Sequence, residues 1–404
     1  MIGSVVIVGG GIAGVSTAAA LRMGGFVGDI TLVDSGEFPY DRPPLSKDFL
    51  EGRKSLTEIA LQPPQWYDDN KIRLFSESRA TALHTASGEV ELFDGTMIAA
   101  DRVVLATGGR AARPPIKGGS SPRVHVLRTA TDATRLRAAL TAGARVLVVG
   151  AGLIGAEVAS TAVELGCEVT LVDPVRPPLT AAVGSTIATW MHDQHVVRGI
   201  RTVRAGVESL HDTPVGIEAR LSGSDEATTF DVVVLGVGMV PETALADAAG
   251  LEIDRGIVVD QTQTTSNPAV LAVGDPARLR RDGALLPRTE HWEAAQRDGQ
   301  RAAATILGTT PPADTASWFW TDRHHRHIEV VGTMAGAERT VLRGMLGGLA
   351  FSVFGLVGDQ VVGAVSIDDS KAVRAARRLI DRGVAIDASQ LADASIDLRK
   401  LLRG

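Results

Sequence analysis

The chain has 404 residues, 45% of them apolar and 22% charged, with a formal net charge of −6. That length is too great for one ordinary core and predicts two or three domains, while the mild acidity excludes a global attraction to nucleic acid or an anionic membrane. Cys167 is the only cysteine, which excludes an intrachain disulfide and every mechanism that needs a redox-active cysteine pair. Cys167 itself reads as a small buried hydrophobe at the start of a strand. No basic region or cleavage site follows Met1, and the longest uncharged apolar run, residues 345–358, is too short and glycine-rich to span a bilayer. A cytoplasmic location is expected.

Residues 5–8 (VVIV) read as a buried parallel strand, because no polar residue alternates with the apolar ones. The turn Gly9-x-Gly11-x-x-Gly14 follows, with Ala13 inside it, then an alanine-rich helix pattern and a second strand ending in Asp34. Next comes PYDRPPLSKDFL (residues 39–50), whose adjacent prolines bar it from a helix interior or a central strand. It is a stiff basic loop carrying Arg42 and Lys47. DRVVLATGG (101–109) is a strand running into a glycine turn with Thr107 and Gly108. Residues 145–173 then repeat the opening pattern: strand, turn Gly150-x-Gly152-x-x-Gly155, a helix bearing Glu157, and a strand ending in Asp173. RAARPPIKGGSSP before this repeat and GVGMVPE after it, the latter containing Gly238, read as connecting segments. NPAVLAVGDPA (267–277) is a strand ending in Gly274-Asp275, and GTTPPAD (308–314) is a linker. The remainder alternates short apolar runs with glycine turns and ends in helices, which predicts a mainly antiparallel sheet.

Each glycine of such a turn has its own role: the first makes the tight turn, the second admits a pyrophosphate to the backbone, the third packs helix on strand. The helix N-terminus offers free N–H groups to the phosphate, and Asp34 and Asp173 stand where an acid can accept from a ribose hydroxyl. One such fingerprint is a weak signal; two in full strand–turn–helix–strand context predict two dinucleotide sites. A flavin and a nicotinamide are the obvious pair. Asp275, after its buried strand, suits a polyol hydroxyl such as those of the flavin's ribityl chain.

PYDRPPLSK, the two fingerprints, LATGG, LAVGD, EHWEAAQ (290–296) and WFWTD (318–322) occur in this order along the whole chain. In this the sequence resembles FAD-dependent NAD(P)H ferredoxin reductases, and among them the reductase components of bacterial aromatic-ring dioxygenase and cytochrome P450 systems. The resemblance implies an α/β fold of glutathione-reductase-like architecture: two Rossmann-like dinucleotide-binding domains for FAD and NAD plus a C-terminal α+β domain. The implied boundaries are 1–110 with 243–313 for FAD, 111–242 for NAD and 314–404 for the last domain.

It also implies roles. Arg42 would lie near the ribityl–pyrophosphate region, and Lys47 would reach the N5/O4 edge of the isoalloxazine, where a cation favours the anionic reduced flavin. Thr107 and Gly108 would line the flavin, Ala80 and Arg128 would contact it, Asp275 would bind the ribityl chain, and Trp292 would lie beside the ring. Glu157, an acid in need of a partner, would meet Lys47 or the nicotinamide carboxamide, and Glu290 would approach the nicotinamide. Trp320 would face the acceptor. The implied reaction passes hydride from NADH to FAD and then single electrons to an iron–sulfur ferredoxin serving an oxygenase.

Asp173 favours NADH, since it would repel a 2′-phosphate; Arg176 three residues on is the argument for NADPH. The family often has an arginine where this chain has Ala181. A second departure is RHHRH (323–327), read as a basic lip for an acidic ferredoxin rather than a metal site. Lys371, Arg374, Arg378 and Arg382 extend that patch on one helix face. Two competing functions share the architecture: an NADH oxidase or quinone reductase, and a non-enzymatic flavin-binding signalling protein.

Overall fold

The computed structural model describes residues 2–175 and 177–403. The chain divides into two compact units. The first comprises the chain up to Arg42, Lys54–Arg110 and Met239–Asp314; the second comprises Pro43–Arg53, Ala111–Gly238 and the chain from Thr315 on. The RPPLSK loop is thus cut after its arginine, and Lys47 groups with the second unit.

The first unit is built on a five-stranded parallel sheet in the order Val270–Ala272, Arg102–Leu105, Ser4–Val8, Asp29–Val33, Ile72–Phe75. The unbroken apolar run at residues 5–8 follows from what covers it. Val5 and Ile7 join a core with the helices, while Val6 and Val8 join another core beneath the antiparallel sheet Ala80–His84, Glu89–Leu92, Met97–Ala99. Both faces are buried, so neither admits a polar residue. Helix Ile12–Met23 returns the chain to Asp29–Val33 and packs against helix Trp292–Leu307. Gly299 permits that contact, since a Cβ there would lie 2.5 Å from the Ala13 carbonyl oxygen.

The second unit repeats this plan. Its parallel sheet runs Arg201–Val203, Glu168–Val172, Arg145–Val149, Val232–Leu235, Val124–Val126. Val146 and Val148 face the helix Leu153–Glu164 core, and Leu147 and Val149 face the antiparallel strands Val207–Thr213 and Gly216–Leu221. In both sheets the strand that feeds the glycine turn is central. Leu50, from the short helix Asp48–Glu51, is buried in the helix-side core.

The same unit holds a five-stranded antiparallel sheet, Trp318–Arg323, Arg326–Gly332, Gln360–Ile367, Phe351–Val357, Arg339–Gly344. Helix Ser370–Arg382 packs Ala372, Val373, Ala376 and Leu379 onto one face. Helix Ser185–Val197 supplies Ile187, Ala188 and Met191 to the other. Among the described residues no helix is long and apolar enough to cross a membrane.

Candidate active site

The first glycine turn is a cradle by construction. Gly9 has φ +115°, outside the range of other residues, and a Cβ at Gly14 would collide with the Gly9 carbonyl. Helix Ile12–Met23 begins at extended Gly11 with no side-chain cap, so its first N–H groups are left for a ligand. The Arg42 guanidinium lies over this turn: a Cβ at Gly11 would come within 2.8 Å of its Nη1. The Asp34 carboxylate sits beside Gly10, and among the described residues no hydrogen bond reaches it. Gly274 (φ +74°) closes over Ala13, whose Cβ would be 3.0 Å from one on the glycine. Asp275 follows, its carbonyl accepting from Arg288 Nη1 at 2.9 Å. Thr107 Oγ1 donates to the Glu242 carbonyl (2.6 Å), Gly108 takes φ +67°, and Trp292 Nε1 donates to Asp41 (2.8 Å). A small-residue turn, a guanidinium and an available carboxylate fit a dinucleotide such as FAD.

Three further expected residues have other partners. Glu290 is exposed and pairs with Arg288 at 2.8 Å. Ala80 pairs with Leu92 at a strand start. Arg128 belongs to the second unit, its backbone N–H donating to Asp132 just before a capped helix.

The second turn has the same build: Gly150 at φ +93°, a Cβ at Gly155 excluded by the Gly150 carbonyl, open space over Gly152, and an uncapped helix. Asp173 is fixed at the end of its strand by N–H groups from Ala151 and Val175, each at 2.8 Å. Gly238 is exposed at φ +105°, and Arg176 lies outside the described residues.

Behind this turn the second unit concentrates charge. Glu157 is buried at 4% exposure on helix Leu153–Glu164. Its carboxylate accepts from Ser46 Oγ (2.5 Å), Thr321 Oγ1 (2.7 Å), the Asp322 backbone N–H (3.2 Å) and Lys47 Nζ (3.4 Å). Lys47 also donates to Asp322 Oδ2 at 2.7 Å and lies 5.7 Å from the centre of the Trp320 ring, which stacks on Trp318. Burial would lower the Lys47 ammonium, but Glu157 and Asp322 outweigh it and raise its pKa, so the lysine stays charged. Burial would likewise raise the Asp322 carboxyl, yet hydrogen bonds from His327 and Lys47 hold it at about 2. Lys47, Glu157 and Trp320, expected from scattered motifs, therefore meet in one place.

RHHRH is a correction. A basic lip requires these side chains at the surface, but Arg323 and His324 are buried. His324 and His325 form the two-residue turn of a hairpin, with φ +53° and +57°, a conformation usually left to Asn and Gly. Tertiary bonds hold it: the His324 N–H donates to Ser160 Oγ (2.7 Å), and its Nε2 lies 2.8 Å from His195 Nδ1. Burial pushes His195 down to about 2, His324 to about 4 and the Arg323 guanidinium to about 10. Arg326 and His327 are half-buried and paired with acids, leaving only His325 exposed.

Residues 3–299 match the model of the pyridine nucleotide-disulphide oxidoreductases, and residues 318–402 match the reductase C-terminal model. The chain belongs to the pyridine nucleotide-disulphide oxidoreductase family. It is 34% identical to rhodocoxin reductase of Rhodococcus erythropolis, over 98% of this chain and 93% of that one. It is 36% identical to the ferredoxin–NAD(+) reductase component of the anthranilate 1,2-dioxygenase system of Burkholderia cepacia, over 98% of both. Its fold matches the crystal structure of the covalent putidaredoxin reductase–putidaredoxin complex with a TM-score of 0.92, at 32% identity over 99% of this chain and 98% of that one. The family's name covers disulphide chemistry that one buried cysteine cannot perform. The oxidoreductase chemistry open to this member is that of its bound cofactors. The motifs overlooked Ser46, Thr321 and Asp322 as partners of Glu157, although each sits beside a residue that was singled out.

Proposed function

We propose that this protein is an FAD-dependent reductase that takes electrons from NADH and delivers them singly to an iron–sulfur ferredoxin serving an oxygenase, either a P450 or a ring-hydroxylating dioxygenase. The observation that carries the reading is the Lys47–Glu157–Asp322 cluster against Trp320, built on the buried Glu157, in a chain that lacks a disulfide pair. What a bound FAD supplies is the exchange of a two-electron hydride donor for one-electron steps. The chain's residues do the rest. Gly9, Gly11, Gly14 and Arg42 hold the flavin's pyrophosphate, Asp34 its ribose, Asp275 its ribityl hydroxyls; Ala13, Ala80, Thr107, Gly108, Arg128, Gly274 and Trp292 shape its site. Gly150, Gly152 and Gly155 hold the nicotinamide dinucleotide, with Gly238 and Glu290 beside it. Lys47 contributes a fixed positive charge toward the flavin, and Glu157 orients it. No side-chain acid or base is needed for hydride transfer, so positioning and exclusion of water are the protein's main contribution.

NADH is favoured over NADPH because both Asp173 oxygens are pinned by backbone N–H groups, leaving a fixed anion where a 2′-phosphate would sit. The ferredoxin docks near Trp320 and the exposed Lys371–Arg374–Arg378–Arg382 face, through complementary charge. The division of labour proposed is residues 1–110 and 243–313 for FAD, 111–242 for NAD, and 314–404 for the ferredoxin. The test is anaerobic reduction of the flavin by NADH followed by its reoxidation by ferredoxin. A flavin that NADH reduces but no ferredoxin reoxidises would return the protein to the oxidase class.

A further inference from the structure

The charge cluster does not end at Asp322. The two-residue turn His324–His325 sets the hairpin register so that Asp322 faces His327. Asp322 uses its two oxygens separately: Oδ2 accepts from Lys47 at 2.7 Å, and Oδ1 lies 2.5 Å from His327 Nδ1. Because the ionised carboxylate can only accept, His327 must donate from Nδ1. That leaves Nε2 to gain or lose a proton. On its side of the ring, Nε2 lies 3.6 Å from Glu329 Oε2, an oxygen that receives no hydrogen bond among the described residues. The other Glu329 oxygen accepts from Trp318 Nε1 at 3.1 Å, and Trp318 stacks on Trp320 with centroids 5.0 Å apart. From the next strand end, Asp368 accepts the His327 backbone N–H at 2.8 Å and pairs with Arg326 at 2.6 Å. The groups facing His327 are therefore Asp322, Glu329 and Asp368, with Lys47 one bond further and Arg326 already neutralised. The His327 side chain remains 40% exposed, so solvent protons reach it.

We propose that His327 is a positioning residue that sets, through Asp322, how much of the Lys47 charge is neutralised, and so makes the electron affinity of the flavin depend on pH. Taking a proton from solvent at Nε2 gives an imidazolium flanked by two carboxylates. Asp322 then shares its charge between two cations, and Lys47 acts as a freer positive charge. Loss of that proton returns Asp322 to Lys47 alone. No bond within the cofactor changes in this step; one proton moves between solvent and a ring nitrogen. The hydrogen bond to Asp322 raises the pKa of His327, with the Asp322, Glu329 and Asp368 charges adding to it against burial, so the switch operates above the ordinary histidine range.

The inference rests on the reading of Lys47 as a flavin contact, and the test separates the two. The midpoint potential of the bound FAD is measured against pH in the wild-type holoprotein, H327Q, H327K and K47M, and the histidine ring signals of the wild type and D322N are titrated by NMR. Both His327 replacements can still hydrogen-bond Asp322. The wild-type potential should show an inflection at the NMR-measured pKa of His327, and that pKa should fall in D322N. H327Q should follow the high-pH wild-type limb throughout, and H327K the low-pH limb, neither with an inflection. A wild-type inflection that persists unchanged in H327Q overturns the proposal. If instead K47M has the wild-type potential at every pH, Lys47 does not act on the flavin and the underlying reading falls, whatever H327Q does.

Discussion

Glu157 shows how a single buried carboxylate organises a site. Four donors converge on it from two distant stretches of sequence, Ser46 and Lys47 from one and Thr321 and Asp322 from the other. Removing the acceptor strands the buried Ser46 and Thr321 hydroxyls and leaves Lys47 with Asp322 alone. Glu157→Leu is therefore expected to cost about 3 kcal/mol of stability, read by guanidinium denaturation, whereas Glu157→Gln keeps the hydroxyl bonds and should cost less. Equal losses in the two variants would mean that packing, not the charge, holds this site.

The buried histidines make a pH prediction of definite sign. His195 and His324 have native pKa values depressed by burial, so below about pH 6.5 the unfolded chain binds protons that the native state refuses. Stability should fall on acidification from pH 7 to 5, by up to about 1.4 kcal/mol per pH unit for each histidine. His327 has the opposite sign: its raised pKa stabilises fully below the ordinary histidine value and is lost as pH rises through the native one. His324→Asn, which tolerates the left-handed turn, should flatten the acid limb of melting temperature against pH; an unaltered limb would place the acid sensitivity elsewhere.

Among the elements, the two glycine turns were legible because their constraints are local. Gly14 and Gly155 each face the carbonyl of the first glycine of their own turn, a contact fixed within six residues. Gly155→Ala should weaken NADH binding by at least about tenfold, roughly 1.4 kcal/mol, and leave FAD content unchanged. Loss of FAD from this variant would mean that the two fingerprints do not divide the cofactors. The His324–His325 turn was not legible. Neither residue advertises a left-handed turn, and the bonds that hold it come from Ser160 and His195, more than a hundred residues away. For that reason the run reads in sequence as an exposed basic lip, and the Asp322–His327 pairing that follows from the register is hidden there. The amphipathic helix Ser370–Arg382 lies between these cases. Its spacing already separates Lys371, Arg374, Arg378 and Arg382 from the apolar face, and those four are exposed. Charge reversal at Arg374 and Arg378 should slow ferredoxin reduction about tenfold at low salt, with the difference shrinking as salt rises and no change in flavin reduction by NADH. A defect that is independent of salt would exclude steering.

On the scale of the whole molecule, the duplication visible at residues 5–34 and 145–173 becomes two parallel sheets of the same strand plan, each with its glycine turn after the central strand. That much follows from unbroken apolar strands and small-residue turns. The charge cluster does not follow from pattern: the family resemblance implied Lys47 beside Glu157, but Asp322, 165 residues from Glu157, joins them only through the fold. The central claim is that these parts form a reductase driven by NADH, and it is tested most directly by stopped-flow mixing of the flavin-loaded protein with NADH or NADPH without oxygen. Fast bleaching of the flavin's visible absorption by NADH is expected, with slower bleaching by NADPH and recovery of the absorption on addition of an oxidised ferredoxin. A yellow protein that neither nucleotide bleaches would contradict that claim and leave a flavin-binding protein without reductase activity.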